Sequence, residues 1–272
     1  MSHRFLYAVL LLVLRVMGGS VAFAAEMDDL YRSRTVVTGI SDATRIPAVP
    51  PCLLDVLAKV SGDARLLRDP RAQEVASTAT LLATEYSFRD RFAGRQIHDE
   101  QGTRDRPYYL TVAFDPQRVD AALKQLGSKP WLARPRLGLF LLVQNGPTFY
   151  VLAQDGMYGR DQRDALTAAS WQIGIPILLP DEAALAKEGL SVASLPTAGQ
   201  AKLDLVTKAM GADLVLTGKL VWNKGTLGWA AEWHLLDGKA THDWKIKDVN
   251  FDDAFRSALR GSALILSGNG EP

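Results

Sequence analysis

Residues 227–246 read LGWAAEWHLLDGKATHDWKI, two runs of alternating character on either side of Asp237-Gly238. Asp-Gly between such runs is a hairpin signal. If those two residues form the turn, Trp233 stands opposite His242 and Ala231 opposite Trp244. Successive side chains point to opposite faces of a strand. One face of the hairpin therefore carries Trp229, Trp233, Leu235, His242 and Trp244, and the other carries Glu232, His234, Asp243 and Lys245. Asn223-Lys224-Gly225 makes an earlier tight turn, joining a strand over 214–222 to the first arm of this hairpin.

Working outward, residues 252–266 predict a closing helix with Phe255, Leu259 and Ile265 on or near one face. That helix can cover the tryptophan face, which then reads as core. The competing reading leaves Trp222, Trp229, Trp233 and Trp244 open as a carbohydrate-binding surface. Upstream, residues 137–143 are almost wholly apolar, as expected for a strand buried on both faces. Asn145-Gly146-Pro147 turns the chain into a returning strand over 148–153. Helices are predicted over 161–171, 181–187 and 201–210, with a short buried strand over 175–179 and a loop over 189–199.

The first half reads as strand, helix, helix, strand, helix. Residues 35–40 form the first strand. Pro50 and Pro51 suit the opening turn of a helix, in which Leu53, Val56, Leu57 and Val60 share one face and Gly62 is the stop. Asp69-Pro70 starts a second helix, with Val75, Ala79, Leu82 and Tyr86 at helical spacing. Residues 89–106 are charged and without apolar period, an exposed loop or hairpin. Residues 108–114 return to strand, and Asp115-Pro116 opens a helix with Val119, Ala122, Leu123 and Leu126 on one face. Two prolines and a tryptophan within 128–135 mark a boundary between an N-terminal module, 25–130, and a C-terminal module, 131–272. The fold class is α+β or α/β, in two small layered modules. The second has a mixed sheet ending in antiparallel hairpins and a C-terminal helix.

Residues 1–24 have the three parts of a secretory signal peptide. His3 and Arg4 make a basic start, an apolar run follows with Arg15 interrupting it, and Ala22-Phe23-Ala24 fits the small-x-small cleavage rule. The apolar run is shorter than the roughly 20 residues that span a bilayer. The expected location is the periplasm, with the mature chain not integral to the membrane. The chain holds 31 Lys and Arg against 30 Asp and Glu. Removing Arg4 and Arg15 leaves a formal charge of −1, which offers no electrostatic case for nucleic acid. The single cysteine, Cys52, excludes an internal disulfide. It reads as a small hydrophobe at a helix start, in preference to a thiol activated by the helix dipole, because no histidine lies near it in sequence.

No phosphate-binding glycine loop and no Gly-x-Ser-x-Gly elbow occurs, so no catalytic residue and no cofactor is assigned. Ser61-Gly62 reads as a helix cap. Glu232, His234 and Asp243 share a strand face and invite a zinc reading; a wet polar face is preferred, and no metal site is assigned. His98-Asp99-Glu100 reads as a solvated charge run, and His242 as a half-buried ring with one hydrogen bond.

Several stretches taken in order carry a resemblance: 53–62, 108–114 with Asp115-Pro116, 131–135, 174–181, Gly211-Ala212-Asp213, Leu216-Thr217-Gly218 and 229–233. Together they resemble the bacterial domain-of-unknown-function 2066 family over nearly the whole mature chain. That resemblance implies an exported protein of Gram-negative bacteria and no particular activity. Residues 211–244 are also similar to the end of the small α/β domain before the propeller in the Tol–Pal translocation protein, a kind of module that binds envelope proteins. The expected function is a non-enzymatic interaction module in cell-envelope assembly or maintenance, with an envelope protein as its partner. The alternatives are a periplasmic hydrolase acting on glycans through Asp99, Glu100 or Glu232, and a ligand-binding module using the aromatic face.

Cleavage after Ala24 predicts that protein recovered from the periplasm begins at Ala25 or within a residue or two of it. Intact-mass spectrometry checks this. A full-length mass in the membrane fraction would show that Arg15 spoils the signal and that the segment is an anchor.

Overall fold

The structure is a computed structural model that describes residues 29–94, 106–238 and 240–272. The leader over 1–24 and the His98-Asp99-Glu100 run lie outside the described residues. The chain is a mixed α/β protein in two compact units, one of residues up to 60 with 68–128, the other of residues 61–67 with 129–272. Among the described residues no helix is long and apolar enough to cross a membrane.

In the first unit three antiparallel strands, β1 (Arg32–Thr38), β2 (Ala83–Asp90) and β3 (Pro107–Phe114), lie in the order β1-β3-β2. Its helices are α1 (Asp42–Arg45), α2 (Val49–Ser61), α3 (Pro70–Ser77), α4 (Ala79–Leu82) and α5 (Pro116–Gln125). Leu53, Val56, Leu57 and Val60 of α2 are fully buried, the stripe that their spacing predicts. Lys59 binds α2 to the start of the sheet by donating to the carbonyls of Asp29 and Arg32, at 3.1 and 2.8 Å. Asp69 and Asp115 cap α3 and α5 by accepting from the backbone N–H groups of Arg71 and Arg118.

The second predicted helix is corrected here. It does not run to Tyr86: α3 stops at Ser77, and residues 83–90 form β2 along β3, with Tyr86 opposite Val112 and Phe88 opposite Leu110. The hydroxyls of Ser77 and Thr78 bond back to the carbonyls of Glu74 and Val75, at 2.6 and 2.9 Å. Such back-bonds compete with continuation of the helix. The helical spacing of Leu82 and Tyr86 then loses to pairing with β3, because β-propensity is decided by the neighbour strand.

The second unit has a six-stranded mixed sheet. Its order is β5-β4-β7-β8-β9, with β6 also pairing β4. The strands are β4 (Leu137–Asn145), β5 (Thr148–Val151), β6 (Ile177–Leu178), β7 (Leu214–Asn223), β8 (Gly228–Leu236) and β9 (Thr241–Val249). The helices are α6 (Arg160–Ile173), α7 (Glu182–Lys187), α8 (Gln200–Ala209) and α9 (Phe251–Leu266). Residues 137–143 are all buried, as their apolar run predicts. Leu139 and Leu141 pack with Leu166 of α6 and Phe255 and Leu259 of α9 on one face. Phe140 and Leu142 pack with Leu185 of α7 and Leu203 and Val206 of α8 on the other.

The closing hairpin keeps its predicted faces but not its predicted register. Trp233 stands opposite Trp244, Leu235 opposite His242 and Ala231 opposite Ile246, two residues away from the expected pairing. The turn is closed by Asp237 and Ala240, whose backbone groups bond, while the Asp237 carboxylate accepts from the Ala240 N–H at 2.8 Å. A shift of two preserves the alternation, so each side chain stays on its face. The tryptophan face is core: Trp233 is wholly buried, and Trp229 and Trp244 are 7% and 8% exposed. The helix α9 covers it, with Phe255 against the Trp233 ring and the Ser257 carbonyl accepting from the Trp244 indole N–H.

Glycine makes this packing possible. A Cβ at Gly218 would stand 2.3 Å from the Trp233 ring, and one at Gly261 would stand 2.6 Å from that of Trp244. Gly218→Ala is therefore expected to destabilise the protein by about 1–3 kcal/mol, the cost of overpacking, and Trp233→Ala by about 3–5 kcal/mol. Urea unfolding measures both. A stable Trp233→Ala protein would contradict the buried assignment.

Candidate functional site

The residues singled out from the hairpin do share a face, but they pair off. Lys245 donates to Glu232 at 2.9 Å, and His234 Nδ1 lies 2.5 Å from Asp243 Oδ1. The Lys245 hydrogen bond holds the Glu232 carboxyl below the usual range, so it is an ionised ion-pair partner and a poor proton donor. Among the described residues no group of three His, Cys, Asp or Glu is arranged to hold a metal. Asp99 and Glu100, the other carboxylates of the hydrolase alternative, lie outside the described residues.

His242, on the covered face, meets two carboxylates where one hydrogen bond was expected. Its Nδ1 is 2.9 Å from Glu271 and its Nε2 is 3.3 Å from Asp237. Cys52 is buried, and burial pushes its thiol up to about 11, against a hydrogen bond from Ser33 that lowers it and with the Asp55 charge adding to the rise. It is an inert core thiol. Ser61 is buried, and its hydroxyl accepts from the Asp63 N–H at 3.1 Å, so it serves the chain turn after α2.

A different surface gathers functional chemistry. The face of the first sheet turned away from Leu110 and Val112 is open to solvent. In its ladder, Tyr109 lies between Val36 and Arg89, and Thr111 between Arg34 and Ser87. The guanidinium carbons of Arg34, Arg89 and Arg91 lie 5.7, 5.3 and 5.1 Å from the centre of the Tyr109 ring. Arg91 continues the ladder beyond β2, its N–H donating to the Pro107 carbonyl. Arg34 also donates to the Thr111 hydroxyl at 3.3 Å, and Arg32 pairs with Glu85 at 3.1 Å at the far end of the face. Stacking on an exposed aromatic ring is worth about 0.5–1 kcal/mol per cation. It orders side chains that would otherwise sweep freely.

Sequence reasoning missed this group. The signal was the i, i+2 spacing of Arg32 with Arg34 and of Arg89 with Arg91, which puts like residues on one face of a strand. Reading Tyr86 into a helix removes residues 83–88 of the second strand, and an exposed loop or hairpin over 89–106 hides the juxtaposition.

Two clefts are also present. One, of about 640 Å³, lies between α3–α4 and α5 and is lined by Val75, Leu81, Leu82 and Leu126 with Arg71 and Arg118 at its rim. Arg71 is held by Asp69, and Arg118 by the Leu81 carbonyl. The other, of about 580 Å³, lies beside the β8–β9 turn and is lined by Asp204, Asp213, Leu236 and Thr241. Arg136 pairs with Asp213 there.

The His242 arrangement has a consequence for stability. Partial burial acts to lower its pKa, but the Asp237 and Glu271 carboxylates outweigh this and raise it above the ordinary value. A group raised on folding stabilises the protein fully below its unfolded pKa, about 6.5, and loses that contribution as pH rises through the folded value. Thermal unfolding of the protein should therefore show a loss of about 0.2–1 kcal/mol across that window, the range for accessible ion pairs. His242→Gln should remove that pH dependence; an unchanged profile would show that the carboxylates do not hold the imidazolium.

Comparison with known families matches residues 24–132 to the model of a domain of unknown function (DUF8605). No curated protein and no solved structure matches the chain. The matched stretch contains every residue of the arginine–tyrosine face, so over its first unit the chain is similar to an uncharacterised domain.

Proposed function

We propose that the chain is an exported, non-enzymatic interaction protein of the bacterial envelope, and that the open sheet face of its first unit is the contact surface. The observation that carries this reading is the convergence of Arg34, Arg89 and Arg91 on Tyr109. Arg34, Arg89 and Tyr109 stand on hydrogen-bonded strands, which position a site more closely than loops do, and Arg91 follows β2 with its N–H bonded to the Pro107 carbonyl. Their neighbour Val36 is 46% exposed, a further apolar contact point on the same face. The tryptophan face, by contrast, is spent on the core, which removes the surface that the ligand-binding alternative needs.

Export is supported by the basic start, apolar run and Ala22-Phe23-Ala24 of the leader. The resemblance to the domain-of-unknown-function 2066 family, and that of residues 211–244 to an envelope-binding module, support a periplasmic role in envelope assembly or maintenance.

A photocrosslinking amino acid placed at Ser87, exposed on the same face, tests the reading in intact cells expressing the full chain. The expected result is a light-dependent adduct with one envelope protein, identified by mass spectrometry. The same probe at Lys224, exposed in the second unit, should not give it. Equal yields at the two positions, or no adduct at Ser87, would overturn the assignment of the surface.

A further inference from the structure

Resting on that reading of the surface, we infer that the partner presents an extended acidic segment, whose carboxylates are taken by Arg89 and Arg91. A guanidinium stacked on a ring uses its flat face, while its edge retains two parallel N–H groups that match a carboxylate in bidentate fashion. Arg89 lies in β2 and Arg91 one residue past its end, where the chain enters a turn, and their guanidinium carbons come within 5.3 and 5.1 Å of one ring centre. Acidic side chains at i and i+2 of an extended peptide stand about 7 Å apart, a spacing at which two of them can reach both arginines. Arg34, two strands across and bonded to the Thr111 hydroxyl, adds positive charge to the same end of the face. Among the described residues no carboxylate pairs with Arg89 or Arg91. Glu85, on the same face, is held by Arg32, so the basic character is concentrated at the Tyr109 end.

The other anionic partners fit less well. Single-stranded nucleic acid is gripped by bases stacking on open aromatic rings, and here the one ring at the centre already carries three guanidiniums. An anionic lipid surface calls for clusters of roughly four to eight basic residues, whereas three gather here with one apolar neighbour, and the fourth on this face, Arg32, is held by Glu85.

The test uses the mature full chain in low salt and a fluorescein-labelled decapeptide of alternating Glu and Ser. Fluorescence anisotropy should show saturable binding that weakens as salt rises, and none to the matching Gln-Ser peptide. The double variant Arg89→Gln/Arg91→Gln should weaken binding at least tenfold while its melting temperature stays that of the parent. No binding of the acidic peptide, or equal binding by the double variant, would overturn the inference. So would tighter binding of a ten-nucleotide oligothymidylate or of phosphatidylglycerol vesicles. If the peptide fails while the Ser87 crosslink persists, the acidic partner is wrong and the surface stands; if both fail, both readings fall.

Discussion

The Trp233 indole lies against Gly218 so closely that a methyl group there would stand 2.3 Å from the ring, and the Trp244 ring lies in the same way on Gly261. These approaches join three elements. Gly218, Trp233 and Trp244 are successive partners across β7, β8 and β9, and Gly261 belongs to the helix that covers them. With large rings seated on bare backbone, α9 can descend onto the sheet until Ala254, Phe255, Ala258 and Leu259 are fully buried. Aromatic residues supply large buried areas, so this row accounts for a large part of the second unit's stability. It also settles the use of the hairpin, because a face this tightly covered has no room for a ligand.

The first unit solves the burial problem on one side only. Ser33, Val37, Leu110 and Val112 point inward and are buried, and Arg34, Val36 and Thr111 between them point to the other face. Such one-sided sheets are ordinary for antiparallel strands. What distinguishes this one is that its wet side gathers arginines around a tyrosine, where like charges would repel in the absence of the ring and of solvent screening. The arrangement is inexpensive in the free protein and becomes more favourable when an anion arrives, which is the physical basis for regarding it as a recognition surface.

Charged groups in the second unit are arranged differently. Glu232 with Lys245, His234 with Asp243 and Arg136 with Asp213 are accessible pairs that satisfy one another, each of a kind worth about 0–1 kcal/mol. Glu232 and Asp213 are thereby engaged as ion-pair acceptors, and among the described residues no three such groups come together as a metal site. The hairpin residues that drew attention in the sequence are thus surface complements of a buried aromatic row, and the chemical interest passes to the first unit.

The sequence by itself determined whatever depends on local spacing. The buried stripe of α2, the Asp69 and Asp115 caps, the doubly buried run 137–143 and the two faces of the closing hairpin all follow from periods of 3.6 or 2 and from capping chemistry, which act within a few residues. Tertiary structure decided whatever depends on a distant partner. Residues 83–90 carry apolar positions at a helical interval and at a strand interval, and only the presence of β3 beside them selects the strand. The hairpin register was open by two residues because either pairing preserves the faces; the one adopted sets Trp233 opposite Trp244 under the covering helix. The arginine–tyrosine cluster was invisible for the same reason. Arg34, Arg89 and Tyr109 come from three strands far apart in sequence, and no local rule brings together residues that meet only when the sheet forms.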